Sequence, residues 1–288
     1  MADLTAFHPT LHPWLTAVWR DRVRILAAAR QEGQTEGAWQ VYDRYNDPTA
    51  AATDDFATFC QELFYLTTDF PVECAGQQSG DATDFFHLEP PGCVVAQGKA
   101  RVYVHTPQPV QVHAIAVARA VLGLMQVNAD IVKLKVAGPG LSPARGDTVV
   151  IWLKHEFAVK WLLVRLKDPG VAAHCHGPVP PGVRPVADGL GWSLEPPRTD
   201  GDEPMAKNLT ALWQSHDHSF GTYLAGCIFL ALATCGPRGD KFLDAVLRYF
   251  RAAGVDPMNP HRVTMADSEA RHRALITSLA LILDGGSA

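Results

Sequence analysis

Two short segments of the chain carry basic and aromatic side chains at alternate positions, the spacing that places them on one face of a β-strand. The first segment groups Arg101, Tyr103 and His105, and the second groups Lys133 with Lys135 between apolar neighbours. Cations and a histidine on neighbouring strands suit an anionic ligand with an acid and a base beside it. The solvated face of an amphipathic strand would show the same pattern.

The chemistry such a cluster could perform is β-elimination of phosphate from a phosphorylated serine or threonine. That reaction needs a base for the α-proton, an acid for the leaving oxygen and cations on the phosphate. Lys135 can be the base only when neutral, and burial together with nearby positive charge lowers the pKa of a lysine. Lys133, Arg101 and Arg145 would supply that charge and hold the phosphate. His105 titrates near neutrality and can serve as the acid.

A sheet must position these side chains, and the surrounding sequence predicts one. Strands are predicted at 101–105, 131–136 and 148–153, with an amphipathic helix at 112–125 between the first two. Strand, helix and strand in this order suit a crossover connection, and an antiparallel arrangement stays open. We therefore expect a small mixed sheet that carries the site.

The remaining sequence predicts helices on both sides of that sheet. Helical spacing of apolar residues occurs in six segments: 14–30, 37–45, 54–66, 209–234, 241–253 and 266–283. Residues 67–97 are expected to form loops with at most a short strand. The seven prolines of 177–204 predict an irregular segment, which could be a lid, a partner-binding loop or a disordered connector.

Taken together, these elements predict an α+β fold. We expect a mainly helical N-terminal region at 1–98 and an α+β catalytic region at 99–288, unless the two form one continuous domain. The C-terminal helices would pack around the sheet.

Composition and motifs exclude several classes of function. A net charge of −5 argues against a general nucleic-acid binder, and no apolar run is long enough to span a membrane. The N-terminus does not resemble a signal peptide, and the six cysteines form no CxxC pair, so reduced thiols in a cytoplasm are expected. Nucleotide-binding glycine motifs and a GxSxG elbow are absent from the sequence.

Two histidine-rich segments raise the possibility of a metal site. They are His174-Cys175-His176 and His216-Asp217-His218, and alternate histidines on a strand can share one ion. No second ligand pair lies at a convincing spacing. We therefore expect no metal and no organic cofactor.

The order of His105, the motif Lys133-Leu134-Lys135 and Arg145 resembles the bacterial phosphothreonine lyase effectors. Those lyases use a strand histidine as acid, a lysine of a K-x-K strand motif as base and a following arginine on the phosphate. The resemblance implies these roles for His105, Lys135 and Arg145. One departure is Tyr103, which stands where those lyases carry a lysine, so Tyr103 or Arg101 would have to complete the phosphate site.

The wider sequence, from about residue 60 to 260, resembles the effector-like lyases of class V lanthipeptide and thioamitide biosynthetic clusters. The segments that carry this resemblance are ELFYL at 62–66, KLKVAGP at 133–139, RGDTVVIWL at 145–153 and SFGTY at 219–223. It implies a phosphoserine/phosphothreonine lyase acting on a ribosomal precursor peptide that a partner kinase has phosphorylated. The products would be dehydroalanine or dehydrobutyrine.

Two alternatives from other functional classes remain. The first is a non-catalytic protein that binds a leader peptide or activates the kinase, with the proline-rich segment as its docking loop. The second is a virulence effector that eliminates phosphate from a host protein kinase.

Overall fold

The computed structural model describes residues 4–45, 55–76, 80–92, 99–141, 145–196, 204–215, 219–236 and 241–261. Within these ranges the chain forms ten α-helices and one seven-stranded sheet, so the expected α+β class is confirmed. None of the helices in this part of the chain is both long and apolar enough to cross a membrane. The described residues divide into a sheet unit, 55–180 with 184–193, and a helical unit made of the remainder. The division expected at residue 98 stays a prediction.

The sheet unit is built on antiparallel strands in the order β1-β2-β4-β5-β3-β7-β6. The strands are β1 (Glu73–Gly76), β2 (Phe85–Glu89), β3 (Ala100–Val104), β4 (Ile131–Ala137), β5 (Val149–Leu153), β6 (Arg184–Ala187) and β7 (Leu190–Leu194). The central strand, β5, is buried along its whole length. It separates β3 from β4, and because both run antiparallel to β5, they are parallel to each other.

Four helices belong to the sheet unit: α4 (Phe56–Asp69), α5 (Val110–Met125), α6 (Phe157–Leu166) and α7 (Pro169–Ala172). Helix α5 is the crossover between β3 and β4 that the sequence indicated, although the strands it joins are not neighbours. It packs against β4, and its buried Val117 and Val121 give it an apolar face. Leu134 and Val136 of β4 are fully buried, whereas Lys133 and Lys135 are not. The lysines therefore project from the opposite face of the sheet.

The helical unit contains α1 (His12–Arg20), α2 (Arg22–Gln31), α3 (Gln34–Asp43), α8 (Pro204–Trp213), α9 (Phe220–Cys235) and α10 (Phe242–Ala252). Helix α9 is buried on nearly all sides because α2, α3, α8 and α10 pack around it. The approach of α3 is close: a Cβ on Gly37 would lie 2.4 Å from a ring carbon of Phe229. Gly254 (φ +70°) follows α10 as the expected C-terminal cap.

Three expectations are corrected or lie outside the description. Residues 67–97 hold two strands, β1 and β2, where loops with at most one short strand were expected. The proline-rich segment forms the β6–β7 hairpin, and Pro185 is tolerated because β6 is the edge strand and needs no amide donor on its free side. The helix expected at 266–283 lies outside the described residues.

Candidate functional site

Cross-strand register brings the predicted cations into rows on one face of the sheet. Residues directly opposite each other in an antiparallel pair share a face. Arg101 of β3 and Lys133 of β4 both pair with Trp152 of β5, one from each side. In the next row Lys135 pairs with Val150 of β5 on one side. The register shift at the start of β4 precedes these pairs and leaves their alternation intact.

Aromatic rings lie beneath the cations. The Arg101 guanidinium lies 4.6 Å from the centroid of the Trp152 ring, and the Lys133 ammonium lies 5.0 Å from it. The Lys135 nitrogen is 3.5 Å from the centroid of the Phe85 ring. The negative faces of these rings attract cations and partly offset the mutual repulsion of three positive groups. The rings therefore help to hold the three cations together on one face of the sheet.

Lys135 has the electrostatics of a general base. Burial lowers its pKa to about 7, Asp147 opposes that shift, and Arg145, Arg101 and Lys133 add to it. A partly buried ammonium among cations loses its proton easily, because its charged form is both poorly hydrated and repelled. At neutral pH a large fraction of Lys135 is therefore the free amine.

Arg145 is held by Asp147 in a two-pronged ion pair. Its Nε donates to one carboxylate oxygen at 2.6 Å and its Nη2 to the other at 3.0 Å. Both residues are buried, at 6% and 4% exposure. The guanidinium also lies 4.9 Å from the Phe85 centroid, which places it on the same side as Lys135. Arg145 therefore pairs with Asp147, as the alternative reading of the sequence suggested, and it also lies in the cation cluster.

His105 directly follows Val104, the last residue of β3. Its amide donates to the carbonyl of Gly189 at 2.8 Å, and its carbonyl accepts from the amide of His176 at 3.0 Å. Burial lowers the pKa of the ring, whereas Asp147 opposes that change. Asp147 therefore acts electrostatically on both His105 and Lys135.

The backbone of Gly177 lies close to the His105 ring. Gly177 has φ +116°, and a Cβ there would lie 2.3 Å from Nδ1 of His105 and 2.5 Å from Cε1. The chain next to His105 is fixed by Thr148, whose hydroxyl donates to the carbonyl of Val104 and accepts from the amide of Thr106. Sequence reasoning missed both positions, because a close backbone approach and a hydroxyl bridge leave no periodic signal.

Tyr103 and Arg101 fit the phosphate role unequally. Tyr103 is 3% exposed, and its hydroxyl accepts a hydrogen bond from Ser193 at 3.2 Å. Arg101 is also buried, at 7%, and lies directly beside the Trp152 ring with Lys133 on the other side. Arg101 is therefore the better candidate to supply the charge that the lyases place at the position of Tyr103.

The structure adds two polar residues that the sequence reading did not include. His87 of β2 pairs with Lys135 across the strands, and its ring centroid is 6.0 Å from that of Trp152. Glu89, two residues on, has one oxygen 3.6 Å from the Lys133 nitrogen and 3.7 Å from Nδ1 of His87. The sequence signal that could have revealed these two residues is their alternate spacing, which is typical of a strand, in a segment that was expected to form a loop.

The histidine-rich segments give no metal site in the described part of the chain. His174 lies with its Nδ1 3.0 Å from Nδ1 of His113, whereas His176 pairs with Asp188. Burial raises the pKa of the Cys175 thiol between them to about 11, which disfavours the thiolate that metals bind. Among the residues described, no group of three or more His, Cys, Asp or Glu side chains could hold an ion. His216-Asp217-His218 lies outside the described residues.

Comparison with solved structures shows where this fold occurs. An effector protein from Pseudomonas syringae pv. tomato strain DC3000 matches with a TM-score of 0.57 and 17% identity, over 86% of this chain and 98% of the other. An effector protein from Pseudomonas syringae pv. syringae strain 61 matches with a TM-score of 0.56 and 16% identity, over 90% and 98%. At these identities the likeness shows a shared fold. No curated protein sequence matches the chain.

A protein-family model matches the part of the chain that contains the site residues expected from the sequence. The model of the HopA1 effector protein family matches residues 89–262, which is more than half of the chain. The matched range contains β3, β4 and β5 with all six of the site residues expected from the sequence. The chain belongs to the HopA1 effector protein family.

Proposed function

We propose that this protein is a phosphoserine/phosphothreonine lyase that eliminates phosphate from a ribosomal precursor peptide after a partner kinase has phosphorylated it. The observation that carries the proposal is a lysine whose pKa is about 7, surrounded by three further cations on one sheet face. A base and cations that can bind phosphate are two of the three groups that β-elimination needs, and His105 would be the third, the acid. The reaction would take place in the cytoplasm, where the kinase and the precursor are made.

In the proposed reaction, neutral Lys135 takes the α-proton of the phosphorylated residue. The electron pair of the C–H bond becomes the new double bond, and the Cβ–O bond breaks with its pair going to phosphate. His105 supplies the proton for the leaving group, the role that the lyase resemblance implies. Lys133, Arg145 and Arg101 bind the phosphate oxygens and stabilise the charge that develops on the substrate.

The chain's own residues are sufficient for this reaction. Elimination changes no oxidation state that would require a redox partner, and the base, acid and cations are all protein side chains. The products are dehydroalanine or dehydrobutyrine and inorganic phosphate.

The test is a chemically phosphorylated precursor peptide incubated with the purified protein. Mass spectrometry should show loss of one phosphoric acid with wild type and no loss with Lys135→Ala or His105→Ala. Lys154→Ala, at an exposed position just after β5, is the matched control and should retain activity. Undiminished elimination by both active-site variants, with folding verified by circular dichroism, would refute the assignment.

Membership of an effector family agrees with the effector part of a second candidate, a lyase that would act on a phosphorylated host protein kinase. Both candidates use the same sheet face and differ only in the substrate. Parallel assays with a phosphorylated precursor and with a phosphorylated kinase activation loop distinguish them by the ratio of kcat/KM. A protein that binds the leader or activates the kinase without eliminating from either substrate would be the non-catalytic alternative.

A further inference from the structure

His87 stands in the row of the proposed base but has no role in the scheme above. It pairs directly with Lys135 in the antiparallel register of β2 and β4, so the two Cβ atoms are about 5 Å apart. Its ring lies near Trp152, on which Arg101 and Lys133 also converge. The side chain keeps 19% of its surface exposed. His87 thus lies beside the cations of the cluster, and its side chain is partly exposed to a ligand that binds there.

The groups facing His87 keep its ring neutral while the cluster holds no anion. Burial, together with the positive charges of Lys133, Lys135 and Arg101, lowers the pKa of His87 to about 4, and Asp84 opposes that shift. Glu89 lies 3.7 Å from its Nδ1 and is shared with Lys133. On the other side, β1 places the apolar Ala75 opposite His87.

A bound dianion reverses this balance. Two negative charges placed among Lys133, Lys135 and Arg101 cancel the repulsion that disfavours an imidazolium. An opposite charge within about 4–6 Å favours the protonated form of a histidine by about one to three pK units. A phosphate monoester carries two charges near neutral pH, whereas a carboxylate carries one.

We propose that His87 is a phosphate-binding residue of this site that is neutral in the empty cluster and takes up a proton as a doubly charged phosphate ester binds. The inference rests on the proposed function for the identity of its ligand. The proton comes from solvent and moves onto the ring, which then donates to a phosphate oxygen. After phosphate leaves, the ring loses the proton again. The site therefore selects dianionic phosphate esters over singly charged anions.

The first experiment uses sulfate, a dianion that does not titrate in the relevant range. The His87 ring signal, assigned by its loss in His87→Gln, is followed by NMR as a function of pH with and without saturating sulfate. Sulfate should move the titration midpoint of His87 upward by at least about one unit, which corresponds to about tenfold tighter sulfate binding below the midpoint. A midpoint that sulfate leaves unchanged overturns the proposal.

The second experiment measures elimination from the phosphopeptide. His87→Gln keeps a polar side chain that cannot become charged. At about pH 5, where a ring whose pKa rises from about 4 by about two units is mostly protonated in the complex but not in the free protein, the variant should raise KM for the phosphopeptide by about tenfold. Binding of a singly charged carboxylate peptide should be unaffected, which separates loss of the proton from general damage to the cluster. An unchanged KM in His87→Gln contradicts the proposal even if wild type is an active lyase.

The two experiments separate failure of the inference from failure of the proposed function. If wild type eliminates no phosphate and His87 still responds to sulfate, the lyase assignment falls and the anion site with its titrating histidine stands. If wild type eliminates phosphate and sulfate leaves the titration midpoint of His87 unchanged, the lyase assignment is supported and the proposed role of His87 is wrong.

Discussion

Replacing Lys135 by methionine should stabilise the folded protein in a pH-dependent way. A lowering of the pKa from 10.5 to about 7 corresponds to about 5 kcal/mol of cost for the protonated lysine in the fold, relative to the unfolded chain. Partial access to water and small shifts of neighbours reduce this, so we expect Lys135→Met to gain about 1–3 kcal/mol at acidic pH. Methionine has nearly the shape of lysine and packs as well against Phe85.

The sign of the pH dependence follows from proton binding. Below pH 7 both folded and unfolded chains carry the proton on Lys135, and the fold bears the whole cost. Between pH 7 and 10.5 the unfolded chain still holds the proton that the folded chain has lost, so wild-type stability rises with pH. The advantage of Lys135→Met should therefore be largest below pH 7 and should shrink as pH rises through this window.

Urea unfolding followed by circular dichroism measures this difference at about pH 6 and at about pH 9.5. Lys154→Met, at an exposed position, is the control and should change the free energy of unfolding by less than about 0.5 kcal/mol at either pH. If Lys135→Met is less stable than wild type at the lower pH, the protonated lysine is a stabilising partner of the acids around it. The argument for a neutral base would then be refuted.

Three further outcomes are expected. A pH–rate profile should show kcat/KM for elimination falling about tenfold per pH unit once the pH is below both the pKa of Lys135, about 7, and the lowered pKa of His105, because His105 is then protonated and only the free amine of Lys135 takes a proton. Gly177→Ala should displace the His105 ring and reduce elimination strongly, whereas Gly170→Ala, where a Cβ meets nothing within 4 Å, should retain wild-type rates. Trp152→Leu should weaken sulfate binding about three- to tenfold in calorimetry, because the cations on both sides lose an aromatic face.

The strands of the site could be predicted because their local patterns are strong. The alternation around Lys133 and Lys135 and the wholly apolar run at β5 each correspond to a strand in the structure. The helix α5 likewise follows the apolar spacing that precedes β4. These signals depend only on residues near each other in the chain.

The neighbours across the strands could not be predicted in the same way. The pairing of His87 with Lys135 depends on a register between β2 and β4, and β2 lies in a segment rich in glycine, proline and aspartate. The hairpin that contains Pro185 could not be predicted because proline disfavours strands except at the edge of a sheet. Whether a strand lies at the edge depends on the arrangement of the whole sheet. The register and the edge position of a strand both depend on contacts between residues far apart in the sequence.

The interior position of β5 has a consequence for how the molecule folds. During synthesis the strands that carry His105 and the lysine pair emerge first, and neither can bond to the other because β5 belongs between them. The pairing of β3 with β5 also joins residues about fifty positions apart, as in Ala100 with Leu153, and such a long-range closure slows folding. A chain stopped before residue 148 should thus hold β3 without a partner strand and β4 paired only with β2, and we expect it to aggregate. We expect the site residues of β3 and β4 to come together only when β5 pairs with both strands.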